Sequence, residues 1–147
     1  MNPGWLRFEQ VLDALPALTP APTQGGFTLA QAMVHGAQGI EYSMTGFPQC
    51  KPRWFQRSAG ALAFALFSAR GRMSHDLSAP IPGAPALPDA PDEPAARLRL
   101  RQAIAAFRAW DGPWQPHFAY GALDRAGHER AHAMHLADHL GAFLPPR

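Results

Sequence analysis

Apolar residues recur along this chain at intervals of three and four, the period of helices with one face buried. Trp5, Phe8, Val11, Leu12 and Leu15 predict a first helix over about Pro3 to Leu15, closed by Pro16, Pro20 and Pro22. Thr28 is a plausible N-cap for a second helix running to Met44, with Leu29, Met33, Gly36, Ala37, Ile40 and Met44 on its apolar face, and Gly46 and Pro48 after it. A third is predicted over Trp54 to Arg70, with Phe55, Ala59, Leu62, Ala63, Leu66 and Phe67 as its buried side and Gly71 as its stop. A fourth starts near Asp92 or Pro94 and ends at Trp110, before Asp111-Gly112-Pro113, burying Leu100, Ala103, Ile104 and Phe107. The last begins at the N-cap Asp124 and reaches about Phe143.

Residues 73–93 break this rhythm. Pro80, Pro82, Pro85, Pro88 and Pro91 forbid a helix there. Connections of that length usually cover a site, bind something or strap the surface. Trp114, Phe118 and Tyr120 lie in a second loop, placed to pack down as a lid. No strand pattern or internal repeat appears, so residues 1–147 read as one all-α domain.

Composition narrows the function. At 147 residues, 47% hydrophobic and 16% charged, the chain can bury a single core. The net charge is +2 and the basic residues are scattered, with no stripe for nucleic acid. No apolar run approaches the roughly 20 residues of a membrane span. Glu9, Asp13 and three prolines in residues 1–20 do not suit a secretory signal. A single cysteine, Cys50, excludes an internal disulfide and fits a reducing cytoplasm. Lys51 and Arg53 beside it favour a thiolate, but it stands outside the histidine pattern.

The histidines carry the chemistry. Four of the seven, His128, His132, His135 and His139, fall on the last helix at spacings of four, three and four, within roughly 60° of one face. They run beside the apolar stripe of Leu136, Leu140 and Phe143, which places them near the interior. Two histidines one turn apart supply two converging lone pairs, and both His128/His132 and His135/His139 meet that condition. His35 is the natural third donor from the second helix. If the two helices run antiparallel, His35 comes level with His135 and His139, while His128 and His132 lie about one to two turns away. His132 is then a candidate to hydrogen-bond behind the ligands. Spacing alone leaves a plain polar stripe open as well.

Three stretches of the chain resemble an uncharacterised bacterial branch of the DinB-like superfamily. They are His35 to Pro48 with Ile40-Glu41-Tyr42-Ser43-Met44-Thr45-Gly46-Phe47, Arg70 to Leu77 followed by Pro80 to Ala84, and Pro116 to Gly121 leading into His135 to Gly141. The resemblance implies a four-helix bundle, here with an additional short N-terminal helix and a long proline-rich loop, commonly paired as a homodimer. It implies one divalent ion held by one histidine of the second helix and an HxxxH pair of the last, positions that match His35, His135 and His139. It also implies thiol transfer with a low-molecular-weight thiol, or metal-assisted hydrolysis. Two positions depart: Ala142 stands where members often carry Gln, and Asp138 where the branch often has a histidine. Asp138 could orient a ligand, act as a base, or be a solvated helix residue.

Three imidazoles suit zinc, nickel or iron(II) and leave a coordination position for water or substrate. A four-ligand closed site with no cavity would instead mark a non-enzymatic, metal-stabilised dimeric interaction module.

Overall fold

The computed structural model describes residues 1–23 and 25–146. The chain is all-α: the described residues form helices and loops, and their one β-type contact is an isolated bridge between His117 and Gly121. No helix among them is long and apolar enough to cross a membrane.

Helix α1 spans Phe8–Ala14 and tightens into a 3-10 turn over Leu15–Ala17. It starts five residues later than its apolar spacing predicts. Gly4 adopts a left-handed φ of 68° and its N–H donates to the Asn2 side chain at 2.8 Å, so the chain bends there. Trp5 is buried from this bend, not from a helix. The free N–H of Phe8 donates to the Glu129 carboxylate at 2.9 Å, which fixes the start of α1 to the last helix.

Helix α2, Leu29–Thr45, is the central element and is buried on nearly every side. Thr28 caps it, accepting from Gln31 N–H at 3.2 Å, while the Gln31 side chain accepts from Thr28 N–H at 3.0 Å. Helices α5 (Glu93–Ala109) and α6 (Arg125–Leu140) both pack on α2. Asp92 and Asp124 cap them, accepting from Ala95 and Gly127 N–H at 2.9 and 2.7 Å; such caps contribute about 1 kcal/mol each. A 3-10 turn, Gly141–Phe143, extends α6. The register of α2 against α6 is antiparallel, since Gly36 faces Leu136 and Gly39 faces His132. Phe8, Met33, Ile40, Leu100, Phe107 and Leu136 fill the core between these helices.

The segment between α2 and α5 departs from its predicted packing. Helix α3 (Arg53–Phe55), a π turn (Gln56–Gly60) and helix α4 (Ala61–Arg70) follow one another directly, yet α4 contributes no buried residue. Leu62 and Leu66, predicted to face the core, are 60% and 55% exposed. The apolar period is present, but no neighbouring element covers it. Gly71 ends α4 with a φ of 71°, and Arg72 N–H returns to the Phe67 carbonyl at 3.2 Å. Residues 72–92 then carry turns and bends without helix or strand, with Met73 and Ile81 buried and the Gln31 side chain donating to the Pro88 carbonyl at 2.9 Å.

Gly60 lets the π turn lie against the loop that follows α5. A Cβ at this position would overlap the carbonyl oxygen of Ala119, a backbone atom that cannot swing away. Gly60→Ala is therefore expected to destabilise the protein by about 1–3 kcal/mol. Urea unfolding of the variant checks this, and an unchanged midpoint would show that the contact can relax freely.

Candidate metal centre

Four histidines from three parts of the fold converge. His35 projects from α2, His135 and His139 lie one turn apart on α6, and His75 comes from the loop after α4. One ring nitrogen of each lies within 4.8 Å of all the others. Nε2 of His35 stands 3.1 Å from Nε2 of His135, and Nε2 of His75 stands 2.9 Å from Nε2 of His139. With metal–nitrogen bonds of ~2.1 Å, neighbouring donors sit about 3.0 Å apart in octahedral geometry and about 3.4 Å apart in tetrahedral geometry. The two short edges are of that size.

The protonation of the ring of His75 follows from its other neighbour. Its Nδ1 is 2.7 Å from the Asp138 carboxylate, which accepts hydrogen bonds and has none to give. The proton of neutral His75 therefore sits on Nδ1, and Nε2 offers a lone pair to the cluster. A carboxylate behind a ligating histidine fixes its tautomer in this way in metal sites.

Burial keeps the other rings neutral. It lowers the pKa of His35 to about 4, with the charge of His75 adding to the effect. His135 is held well below the usual value, first by burial and then by His139 and His35. His139 is lowered by burial and then by His35 and His75. Neutral imidazoles are the form that ligates a metal. Phe27 lies flat against His139, 5.6 Å between centroids, and tilts onto His35 at 5.0 Å, walling off one side.

The structure thus brings together His35, His135 and His139, and adds His75, which helical spacing could not reveal. Its signal was indirect: a histidine just past the end of α4, in a long loop of the kind that covers sites. His132 makes no hydrogen bond to the four; it is buried beside Phe8 and Phe107. His128 packs on Trp114 instead. The Asp138 carboxylate lies 2.7 Å from His75 Nδ1. Cys50 is exposed.

A cavity of ≈ 310 Å³ opens beside the cluster. His35, His75 and His135 form part of its lining, with Met73 and Ile81 from the long loop and Phe47, His117 and Phe118 nearby.

An all-α protein with a four-histidine cluster capable of holding a metal is the class these features define. The chain belongs to the family described as Protein of unknown function (DUF1569), whose model matches residues 8–146. No curated protein and no solved structure gives a significant match.

The buried histidines outside the cluster set a pH dependence. Burial lowers His117 to about 3 and His128 to about 4, against about 6.5 in the unfolded chain. Below pH ~6.5 the unfolded chain takes up protons that the folded chain refuses, so stability is full above that pH and falls as the pH drops toward 4. Each group contributes up to about 1.4 kcal/mol per pH unit in that window. Guanidinium unfolding of metal-free protein near pH 7.5 and pH 5 measures this. Equal or greater stability at the lower pH would contradict it.

Proposed function

We propose that this protein is a DinB-like metal-dependent enzyme, a single four-helix-bundle domain in which His35, His75, His135 and His139 hold one divalent ion at the wall of the substrate cavity. The observation that carries this is the coincidence of four converging imidazole donors with an adjoining cavity. A six-coordinate ion such as nickel or iron(II) bound by four imidazoles keeps two positions for water or substrate. When bound, the ion lowers the pKa of a coordinated water or holds a thiolate, which supports hydrolysis or transfer of a low-molecular-weight thiol. Asp138 orients His75 and does not itself meet the substrate. His132 lines the cavity and leaves the ion to the other four.

Four protein donors also favour a second reading, a closed tetrahedral zinc ion that only stabilises an interaction module. Cobalt(II) substitution separates the two. Weak visible absorption that changes on adding azide or a thiol marks open positions. Intense, unresponsive absorption marks a closed tetrahedral site.

The ligand set has its own test. His35→Ala, His75→Ala, His135→Ala and His139→Ala should each abolish or greatly weaken binding of one ion, and Asp138→Asn should weaken it about 10–100-fold. His128→Ala and His132→Ala should retain it. Elemental analysis and titration calorimetry report the stoichiometry, with binding falling as the pH drops toward about 4, where buried His35 takes up a proton. Retention of a full ion by His75→Ala would reduce the set to three.

The uncovered face of α4 supports a homodimer. Trp54, Leu62 and Leu66 are all more than half exposed on this segment, and exposed apolar patches of this kind mark interfaces. Light scattering should give twice the 16.0 kDa mass, and Leu62→Glu with Leu66→Glu should return it to one. A monomer in the unaltered protein would refute the assembly.

A further inference from the structure

The cavity has polar equipment that the histidine cluster does not use. His117 sits in the loop between α5 and α6, in a turn closed by His117 N–H to the Gly121 carbonyl at 2.8 Å and Gly121 N–H to the His117 carbonyl at 3.0 Å. Within that turn the backbone N–H groups of Ala119 and Tyr120 both donate to His117 Nδ1, at 3.1 and 3.2 Å. Nδ1 is therefore the acceptor nitrogen, and the ring proton is on Nε2. The ring is stacked on Tyr120 at 4.3 Å and 9°, and on Phe118 at 4.7 Å and 28°, which fixes its direction. His117 is 9% exposed and lines the cavity, yet its Nε2–H has no partner among the described residues. An Asn or Asp could satisfy the same turn through its side-chain oxygen. Turn closure alone thus explains Nδ1 and leaves the Nε2 donor unexplained.

Lys51 also lines the cavity. Its N–H donates to the Phe118 carbonyl at 2.7 Å, which ties it to the His117 loop. Its ammonium lies over the Phe55 ring, 5.7 Å from the centroid, and has no acidic partner among the described residues. The one carboxylate in the lining, Asp76, is turned onto Ser78, accepting from its N–H at 2.9 Å and its hydroxyl at 2.6 Å. The polar groups outside the histidine cluster that lack an anionic partner thus include a neutral donor and a cation, while Met73, Ile81 and Phe47 offer carbon. A volume of ≈ 310 Å³ holds a molecule of about ten non-hydrogen atoms.

We propose that this cavity binds a small monocarboxylate with an apolar body, its carboxylate accepting from His117 Nε2–H and pairing with Lys51, and its body lying against Met73, Ile81 and Phe47. The role of this acid as substrate rests on the metal-centre reading, whereas its binding does not, because His117 and Lys51 lie outside the cluster. His117 is then the residue that positions the acid, and Lys51 the one that selects its charge.

Calorimetric titration with benzoate and with benzamide, on metal-loaded and metal-stripped protein, tests this. Benzoate should bind in both states, and benzamide at least about tenfold more weakly. Lys51→Met should weaken benzoate about tenfold, as should His117→Asn, which keeps an acceptor for the turn and removes the Nε2 donor; these are the fold-changes expected from losing one charge-assisted hydrogen bond. Ring N–H correlation spectra of the unaltered protein give a second measurement that needs no variant: the His117 Nε2–H resonance should shift on adding benzoate. Benzoate affinity that survives both substitutions with no shift at His117 overturns the proposal. So does benzoate binding only when metal is present and independent of His117, because the carboxylate then sits on the ion. A protein that binds benzoate as expected but no metal would sink the metal-centre reading and leave this site standing.

Discussion

Everything near the centre of this fold depends on bringing four imidazole nitrogens within 4.8 Å of one another. Neutral imidazole nitrogens facing each other with lone pairs repel, and desolvation removes the water that would otherwise satisfy them. A proton on one Nε2 can bridge one pair, such as His35 and His135, but it leaves the other lone pairs unmatched, and Asp138 draws the proton of His75 to Nδ1. Burial opposes a positive charge on His35, His135 and His139. A metal cation would resolve the conflict, because it would supply charge at the point where the lone pairs converge and leave each ring neutral. The antiparallel register of α2 and α6, the Phe27 wall and the return of the long loop all serve that convergence.

The sequence made the helical part of this centre legible and the loop part illegible, for a physical reason. His135 and His139 share a face because an α-helix repeats every 3.6 residues, and His35 comes level with them because adjacent helices here run antiparallel. Those are local or pairwise regularities. His75 reaches the same point through a chain segment without a repeat, so no spacing places it. The same limit explains α4: its apolar period forms a helix, but only tertiary contacts decide whether the stripe is covered, and here they leave Leu62 and Leu66 exposed. At the N-terminus, Trp5 follows the apolar spacing of α1 and is buried, yet the positive φ of Gly4 and the hydrogen bond that Phe8 N–H donates to Glu129 set the helix start at Phe8.

The histidine stripe of α6 is one pattern with two environments. Toward its C-terminal end, His135 and His139 meet donors from other elements. Toward its N-terminal end, His128 lies against Trp114 and His132 between Phe8 and Phe107, with both nitrogens of His128 and Nε2 of His132 buried and within no hydrogen-bond geometry among the described residues. Spacing treats the pairs alike; what differs is whether the opposing surface offers imidazole or hydrocarbon. Unpaired polar atoms in a core cost about 1–3 kcal/mol each, so this half of the stripe adds less to the fold than its burial suggests. His132 also forms part of the cavity lining.

The loop after α4 joins the two functions of the site. His75 and Asp76 are adjacent in it, as are Met73 and Ser74, so the residue that offers Nε2 to the cluster is fixed to residues that wall the cavity. The contacts that hold this segment include His75 to Asp138 and His139, Asp76 to Ser78, Pro88 to Gln31, and the buried side chains of Met73 and Ile81. The His75 contacts adjoin the cluster, and an ion bound there would oppose any movement that takes the ring away. Filling the centre would then also fix this stretch of the cavity wall. A ligand pressing against Met73 or Ile81 would act, through the same few residues, on the position of His75.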